Sequence, residues 1–93
     1  MDLELADKVV FITGASGGIG RALARVFAAE GCRLALHAHS NIGWLREFVA
    51  KQGWQDSALV VCADVADPDA VNSAMQAAVA RFGRVDVCVA NAG

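Results

Sequence analysis

Residues 13–20 read TGASGGIG and directly follow a short apolar run, VVFI, at residues 9–12. A β-branched apolar run that ends in a glycine turn is typical of a buried parallel strand. From Gly18 onward the apolar residues change to helical spacing, and Gly31 provides a stop signal. This stretch therefore predicts a strand, a glycine turn and a helix in direct succession.

The rest of the chain repeats this alternation of strands and helices. Strands are predicted at residues 8–12, 33–38, 57–62 and 85–90, and the helices between them end at Gly31, Gly53 and Gly83. Ser40 or Asn41 is expected to cap the second helix, and Asp67 with Pro68 to open the third. The order β-α-β-α-β-α-β with short connections predicts the α/β class. We expect an incomplete Rossmann-type, doubly wound parallel sheet with strand order 3-2-1-4.

Length and charge exclude several classes of function. The chain has 93 residues, enough for one domain, and a net charge of −2 without a basic block, which argues against nucleic acid as a partner. No apolar run approaches the roughly 18 residues that a membrane span needs. The acidic start at residues 1–7 lacks the basic beginning of a signal peptide. We therefore predict a cytoplasmic protein that does not bind a membrane.

Three cysteines are widely spaced, at Cys32, Cys62 and Cys88. An odd number of cysteines in a chain of this kind does not indicate a disulfide framework. All three lie in or beside apolar strand-like runs, so we expect small buried core residues. No C-x-x-C pair occurs, and no metal site is predicted.

The glycine turn has the chemistry of a phosphate cradle. Backbone N–H groups at the start of a helix, together with its dipole, favour an anion such as a pyrophosphate. We expect Gly14 to permit the tight turn, Gly18 to let the phosphate approach, and Gly20 to allow close packing of helix and strand. Ser16 and Ile19 of the same turn are also predicted to contact the cofactor. The alternative is an ordinary glycine-rich connection; a P-loop is excluded, because no lysine follows the glycines.

Two further motifs follow the third and fourth predicted strands: Asp64-Val65, and Asn91-Ala92-Gly93. With T-G-x-x-x-G-I-G after the first strand, they make the chain resemble the N-terminal half of the short-chain dehydrogenase/reductase family. The resemblance covers residues 1–93 as the first part of one NAD(P)-binding Rossmann domain. Its motif style leans towards the 3-oxoacyl-acyl-carrier-protein reductases.

This resemblance implies roles for individual residues. Asp64 would hydrogen-bond the adenine amino group, and the backbone of Val65 would contact the ring. Asn91 and Gly93 would lie beside the cofactor ribose and steady the central sheet. Two alternatives remain open: Asp64 caps a turn, and residues 91–93 form an ordinary strand-end turn.

The end of the second strand bears on the choice of cofactor. An acidic residue there would bind the ribose 2′-OH of NAD, but Ala38 occupies that place. His39 and Ser40 follow, and both can hydrogen-bond a 2′-phosphate. We therefore favour NADP(H), with NAD as the alternative, although Gly17 stands where many NADP-preferring relatives carry a basic residue. A solvated surface histidine is the alternative for His39.

The resemblance implies that catalysis uses a serine, a tyrosine and a lysine, the last two in a Y-x-x-x-K arrangement in a later segment. This chain has no tyrosine, and neither Lys8 nor Lys51 matches that motif. No catalytic residue is assigned, and the 93 residues alone are predicted to be inactive. The favoured function is the cofactor-binding half of an NADP(H)-dependent oxidoreductase. The alternatives are a non-catalytic dinucleotide-binding regulatory module and an interaction fragment that binds no cofactor.

The fourth predicted strand has an apolar edge, with valines alternating along residues 85–90. An unpaired edge of this kind favours pairing with another chain. We expect association either with the missing C-terminal half or with a second copy of this chain.

Overall fold

The computed structural model describes residues 5–91. Strands and helices alternate throughout, as the sequence predicts. In chain order they are β1 (Val9–Ile12), α1 (Gly18–Ala29), β2 (Arg33–Ala38), α2 (Ile42–Gln52), β3 (Ala58–Cys62), α3 (Pro68–Phe82) and β4 (Val87–Val89).

All strand pairs are parallel, and the order across the sheet is β3-β2-β1-β4. Phe11 of β1 stands opposite Ala35 of β2 on one side and Cys88 of β4 on the other. This topology confirms the prediction of an α/β, Rossmann-type sheet with order 3-2-1-4. Because the strands are parallel, all four carboxyl ends lie at one edge of the sheet.

The helices cover both faces of the sheet, which makes it doubly wound. Ala24 of α1 and Leu45 of α2 are fully buried against alternate strand residues such as Ile12 and Leu36. On the opposite face, Ala74 and Ala78 of α3 pack against Phe11, Ala35 and Val61. Small helix residues let α1 and α3 approach the strands closely, so residues from β1 and β2 are almost completely enclosed.

The strands are shorter than predicted. β1 begins at Val9, β3 at Ala58, and β4 spans only Val87–Val89. At the start of β4 the Asp86 carboxylate accepts a hydrogen bond from the Val9 N–H at 2.8 Å. The Asp86 carboxylate thus takes the place of a main-chain carbonyl as the acceptor. The regular hydrogen-bond ladder between β1 and β4 therefore starts one residue later, at Val87.

Helix capping agrees with prediction at α3 and disagrees at α2. Asp67 accepts hydrogen bonds from the N–H groups of Asp69 and Ala70 at 3.0 and 3.3 Å, and Pro68 occupies the first turn. Asn41 precedes α2 but has left-handed dihedral angles, φ 60° and ψ 30°, and its side chain makes no capping bond. An effective cap residue is extended. The expected side-chain cap by Ser40 or Asn41 is therefore wrong.

The prediction of three buried cysteines is correct only for Cys32, whose thiol donates to the Leu5 carbonyl at 3.2 Å. Cys62 and Cys88 are exposed. Cys88 lies on the sheet face against which α3 packs, but the main contacts of that helix are with β1, β2 and β3.

Residues 5–91 contain neither a metal-binding cluster nor a membrane-spanning helix. No group of three or more histidine, cysteine or acidic side chains is arranged to hold a metal ion. None of the helices in this range is long and apolar enough to cross a bilayer.

Candidate functional site

The predicted site residues lie together at the carboxyl edge of the sheet. The glycine turn follows β1, His39 and Ser40 follow β2, Asp64 and Val65 follow β3, and Asn91 follows β4. These loops therefore lie on one side of the sheet, where doubly wound proteins bind their ligands. Gly93, which the resemblance also implies for the site, lies outside the described residues.

Gly14 forms the sharp bend after β1. Its φ of 63° is in the left-handed region, which glycine adopts without steric cost. Its carbonyl accepts a bond from the Gly17 N–H at 3.2 Å, and the next amide, Ala15, donates to the His37 carbonyl at 2.8 Å. The turn is thus tied both to itself and to the neighbouring strand β2.

Gly20 allows α1 to lie directly on this turn. A Cβ atom at Gly20 would stand 2.5 Å from the Gly14 carbonyl oxygen and 2.7 Å from the Ala15 Cα. Both atoms belong to the main chain and cannot rotate away. The close packing expected of this glycine is therefore present, and the surface that α1 approaches is the turn at the end of β1.

The backbone N–H groups in the first turn of α1 carry partial positive charge and are not paired within the helix. Gly17, its N-terminal cap residue, is extended and has no side chain to cap the helix, and no acidic residue lies in the first turn. The N–H groups at residues 18–20 therefore lack the intrahelical partners that later residues have. A Cβ at Gly18 would meet only the tip of Arg21, at 3.8 Å. Gly17, Gly18 and Ile19 are exposed at this helix start, and an anionic group such as a pyrophosphate is the kind of ligand that such amides favour.

Arg21 brings a positive charge to this region, although no sequence motif indicates a role for it. Its Nε donates to the Gly17 carbonyl at 3.4 Å, and its guanidinium carbon lies 4.8 Å from the centroid of the Trp44 ring. Trp44 also stacks on Phe48, with ring centroids 5.8 Å apart. The arginine is thus held between the first turns of α1 and α2, a contact that only the folded chain reveals.

The end of β2 carries no carboxylate. Ala38 is only 1% exposed, whereas His39 and Ser40 are exposed. The polar side chains that follow Ala38 therefore lie at the surface of the carboxyl edge, where a ligand can reach them.

In the loop after β3, Asp64 caps a turn, which is the alternative to a role in cofactor binding. Asp64 Oδ1 accepts a hydrogen bond from the Ala66 N–H at 2.9 Å. Asp64 is exposed, and the neighbouring Val65 is 53% exposed although it is apolar. Turn capping uses one carboxylate oxygen, and the second remains available to a ligand.

Asn91 ties the end of β4 to the glycine turn. Its Nδ2 donates to the Gly14 carbonyl at 3.2 Å, and its N–H donates to the Thr13 hydroxyl at 2.9 Å. The main chain of Thr13 in turn donates to the Val89 carbonyl at 3.0 Å. Asn91 is therefore a structural tie between β1 and β4 at the carboxyl edge.

His37 lies at the carboxyl edge of the sheet and was not predicted as a site residue. It is 2% exposed, accepts a hydrogen bond at Nδ1 from the Gly14 N–H at 3.2 Å, and contacts the Ala63 carbonyl through Nε2 at 2.6 Å. The available signal was a histidine inside an apolar strand, because a buried polar ring needs partners for both nitrogens.

Comparison with known proteins adds an independent line of support. The model of the short chain dehydrogenase family matches residues 8–93. The chain is 46% identical over 95 residues to the L-rhamnose 1-dehydrogenase (NAD(P)(+)) of Azotobacter vinelandii, covering 96% of this chain and 36% of that protein.

Solved structures agree with this match. A 3-ketoacyl-(acyl-carrier-protein) reductase from Brucella melitensis, complexed with NADH, superposes with a TM-score of 0.81 at 33% identity, over 90% of this chain and 34% of that one. A short-chain dehydrogenase/reductase from the same organism gives a TM-score of 0.86 at 33% identity, over 95% and 37%. The chain thus spans about a third of the length of the relatives that it matches. With a parallel sheet of order 3-2-1-4, a glycine turn at its carboxyl edge and a family match over residues 8–93, the chain belongs to the short chain dehydrogenase family.

Proposed function

We propose that this chain binds a nicotinamide dinucleotide, with the pyrophosphate against the backbone N–H groups of residues 18–20. The observation that carries the proposal is the uncapped N-terminus of α1, which faces open space beside Gly18. Two relatives support it: one is named as NAD(P)(+)-dependent, and another was solved with NADH. Gly14, Ser16, Ile19 and Gly20 complete the cradle.

The other loops of the edge would hold the rest of the cofactor. The second carboxylate oxygen of Asp64 would accept a hydrogen bond from the adenine amino group, with the backbone of Val65 against the ring. Exposed apolar surface at Val65 is consistent with a ring packing there. Asn91, together with Gly93, would lie at the ribose on the nicotinamide side. We propose these contacts as one set, because the loops share one edge.

NADP(H) is the preferred cofactor in this proposal. A buried alanine at residue 38 leaves no carboxylate to bind a ribose 2′-OH or to repel a 2′-phosphate. His39 and Ser40 are exposed just beyond it and can hydrogen-bond a phosphate. Arg21 adds a fixed positive charge on the α1 side, which compensates for the missing basic residue at Gly17.

For the whole protein we propose carbonyl reduction and the reverse oxidation of an alcohol. When bound, the nicotinamide ring supplies or accepts the hydride for this reaction. The present residues contain no tyrosine and so contribute binding and orientation, not the proton-transfer group expected by resemblance. We propose that the 93 residues alone are inactive, and that they form the N-terminal part of one cofactor-binding domain.

The absence of tyrosine also favours a second candidate, a dinucleotide-binding module without catalysis. Both candidates need the same cradle and differ only in whether a carbonyl substrate is reduced. An assay of NADPH oxidation with a panel of carbonyl compounds, run on the longest natural chain that contains these residues, separates them. Cofactor binding without any turnover would favour the regulatory module. The predicted cytoplasmic location stays a prediction.

We further propose that the outer edge of β4 pairs with another strand. Within residues 5–91 its partner is β1, and Val87 and Val89 are only half-buried while Cys88 is exposed. The occupant is the remainder of the domain or a second copy of this chain. Sedimentation of the isolated chain over a wide concentration range tests self-pairing. A monomer at every concentration would exclude it and leave the remainder of the domain as the occupant.

A titration with NADPH and with NADH tests the proposed cofactor directly. Trp44 lies beside Arg21 and provides a fluorescence signal close to the site. We expect saturable binding of both, tighter for NADPH, and a loss of that difference in His39→Ala. Tighter binding of NADH would exclude the NADP preference, and absence of saturable binding of either would exclude the proposed function.

A further inference from the structure

His37 lies in the middle of the carboxyl edge of the sheet, but its side chain faces the protein interior. It belongs to β2, is 2% exposed, and its ring lies nearly parallel to the Phe11 ring at a centroid distance of 6.4 Å. A ligand at the carboxyl edge cannot reach a ring buried to this degree. Any role of His37 in binding must therefore act through its neighbours.

Its two hydrogen bonds determine the state of the ring. The Gly14 N–H can only donate, so Nδ1 must carry a free lone pair to accept it at 3.2 Å. The Ala63 carbonyl can only accept, so Nε2 must carry the proton that is donated over 2.6 Å. The two contacts are satisfied together by one form alone, the neutral imidazole protonated at Nε2.

The strand order explains why one side chain reaches both partners. β2 lies between β3 and β1 in the sheet, so a residue near its carboxyl end has the end of β1 on one side and the end of β3 on the other. The His37 carbonyl adds a third tie, since it accepts from Ala15 N–H at 2.8 Å. Two consecutive amides of the glycine turn are thus fixed by one residue of the neighbouring strand.

These ties connect the two halves of the proposed cofactor site. Gly14 opens the turn that would hold the pyrophosphate, and Ala63 directly precedes Asp64, the proposed adenine contact. Fixing the Ala63 carbonyl also fixes the peptide plane that contains the Asp64 N–H, because the peptide bond is planar. The imidazole therefore sets the position of the phosphate turn relative to the adenine loop.

We propose that His37 is a positioning residue for dinucleotide binding, which acts as a neutral Nε2-protonated bridge between the Gly14 amide and the Ala63 carbonyl. The proposal rests on the proposed function of the chain. It predicts that loss of the bridge weakens dinucleotide binding in a protein that remains folded, and that each half of the bridge can be restored separately.

Three substitutions dissect the bridge. His37→Leu fills the buried space without either hydrogen bond. His37→Asn places an amide oxygen where Nδ1 lies and retains the Gly14 contact, and His37→Gln places an amide N–H near Nε2 and retains the Ala63 contact. We expect about tenfold weaker NADPH binding for leucine, and intermediate Kd values for asparagine and glutamine.

Leu36→Ala is the matched control. Leu36 is fully buried on the opposite face of the same strand, so its truncation loosens β2 without changing a polar contact of the site. Its NADPH affinity should stay within about twofold of the parent chain, with all titrations run below the unfolding temperature of each variant. Equal affinities for the parent and His37→Leu would overturn the proposal. Equal losses in His37→Leu, His37→Asn, His37→Gln and Leu36→Ala would overturn it as well.

Nitrogen NMR of the histidine rings in the cofactor-free chain gives a second, independent readout. The ring-nitrogen signals of His37 are assigned as the two that the parent chain has and His37→Leu lacks. At neutral pH they should show one protonated and one unprotonated nitrogen, with the proton on Nε2. A doubly protonated ring or a proton on Nδ1 would overturn the proposal whatever the binding results. If the ring state is as expected and the parent chain binds no dinucleotide, the proposed function fails and the positioning role fails with it.

Discussion

A Cβ atom on Gly20 would lie 2.5 Å from the carbonyl oxygen of Gly14, well inside contact distance. The same oxygen accepts a hydrogen bond from Asn91 Nδ2 at 3.2 Å. Gly14 is therefore held from two sides, by the first turn of α1 and by the end of β4. The shape of the glycine turn depends on both contacts.

Gly20→Ala should lower the free energy of unfolding by about 1–3 kcal/mol, because the new methyl group forces main-chain atoms apart. Urea unfolding followed by circular dichroism measures the change. Gly43→Ala is the control: nothing lies within 4 Å of a Cβ at Gly43, a helical position in α2. It should be neutral or gain up to about 1 kcal/mol. Equal stabilities of the two variants would contradict the packing role of Gly20.

Asp86 makes stability dependent on acid pH. The Val9 N–H, and to a smaller extent the Arg84 guanidinium and Lys8, hold the pKa of the Asp86 carboxyl below its usual value, although partial burial acts to raise it. A depressed folded-state pKa contributes stability above the unfolded-state pKa, about 3.9, and that contribution is lost as the pH falls through the folded-state value. Acid below about pH 4 should therefore weaken the β1–β4 junction.

Asp86→Asn tests this expectation by urea unfolding at several pH values. The variant should be less stable than the parent chain at neutral pH, and the difference should shrink below about pH 4 as the parent carboxylate is protonated. Asp56→Asn, at an exposed turn before β3, is the control and should show no comparable effect. A difference that is constant down to the lowest pH would exclude a role for the Asp86 charge.

The three cysteines should differ in reactivity. Burial, with a smaller effect of Glu30, raises the pKa of the Cys32 thiol, which also donates to the Leu5 carbonyl. Since the thiolate is the nucleophile, Cys32 should react slowly with iodoacetamide. Cys62 and Cys88 are exposed and should be alkylated first. Peptide mass spectrometry over a time course measures the order, and early labelling of Cys32 in the folded chain would contradict it.

Sequence patterns predicted the fold well because β1 and β2 are enclosed on both faces. β1 is a continuous apolar run, and β2 is apolar except for Arg33 at its start and His37 near its end. The glycines at residues 31, 53 and 83 end helices or follow them, with positive φ angles, as their positions indicated. Strand ends were predicted less well. Where β4 starts, the Asp86 carboxylate replaces a main-chain acceptor. The spacing of apolar residues in the sequence does not indicate such a contact.

In the candidate site, too, some residues could be predicted from the sequence and others could not. Gly14 and Gly20 have conformational or packing constraints that a motif expresses directly. His37 and Arg21 depend on neighbours more than twenty residues away in sequence, Ala63 and Trp44 among them. The exposure of Cys88 depends on which strands α3 covers. Contacts between distant segments of this kind are properties of the tertiary structure and were missed.

Gly18→Val tests whether the amides at residues 18–20 bind the pyrophosphate. A Cβ at Gly18 meets only the tip of Arg21 at 3.8 Å, so a larger side chain should fit the fold while it occupies the cradle. Gly43→Val serves as the control, since it adds the same side chain to a helix away from the turn. Both variants should unfold at temperatures close to one another.

The most direct measurement is an amide NMR titration of the parent chain and these two variants with NADPH. We expect saturable shifts that are largest at residues 18–20 in the parent chain and in Gly43→Val, and binding at least about tenfold weaker in Gly18→Val. Shifts that do not saturate, that centre elsewhere, or that persist with unchanged affinity in Gly18→Val would contradict it.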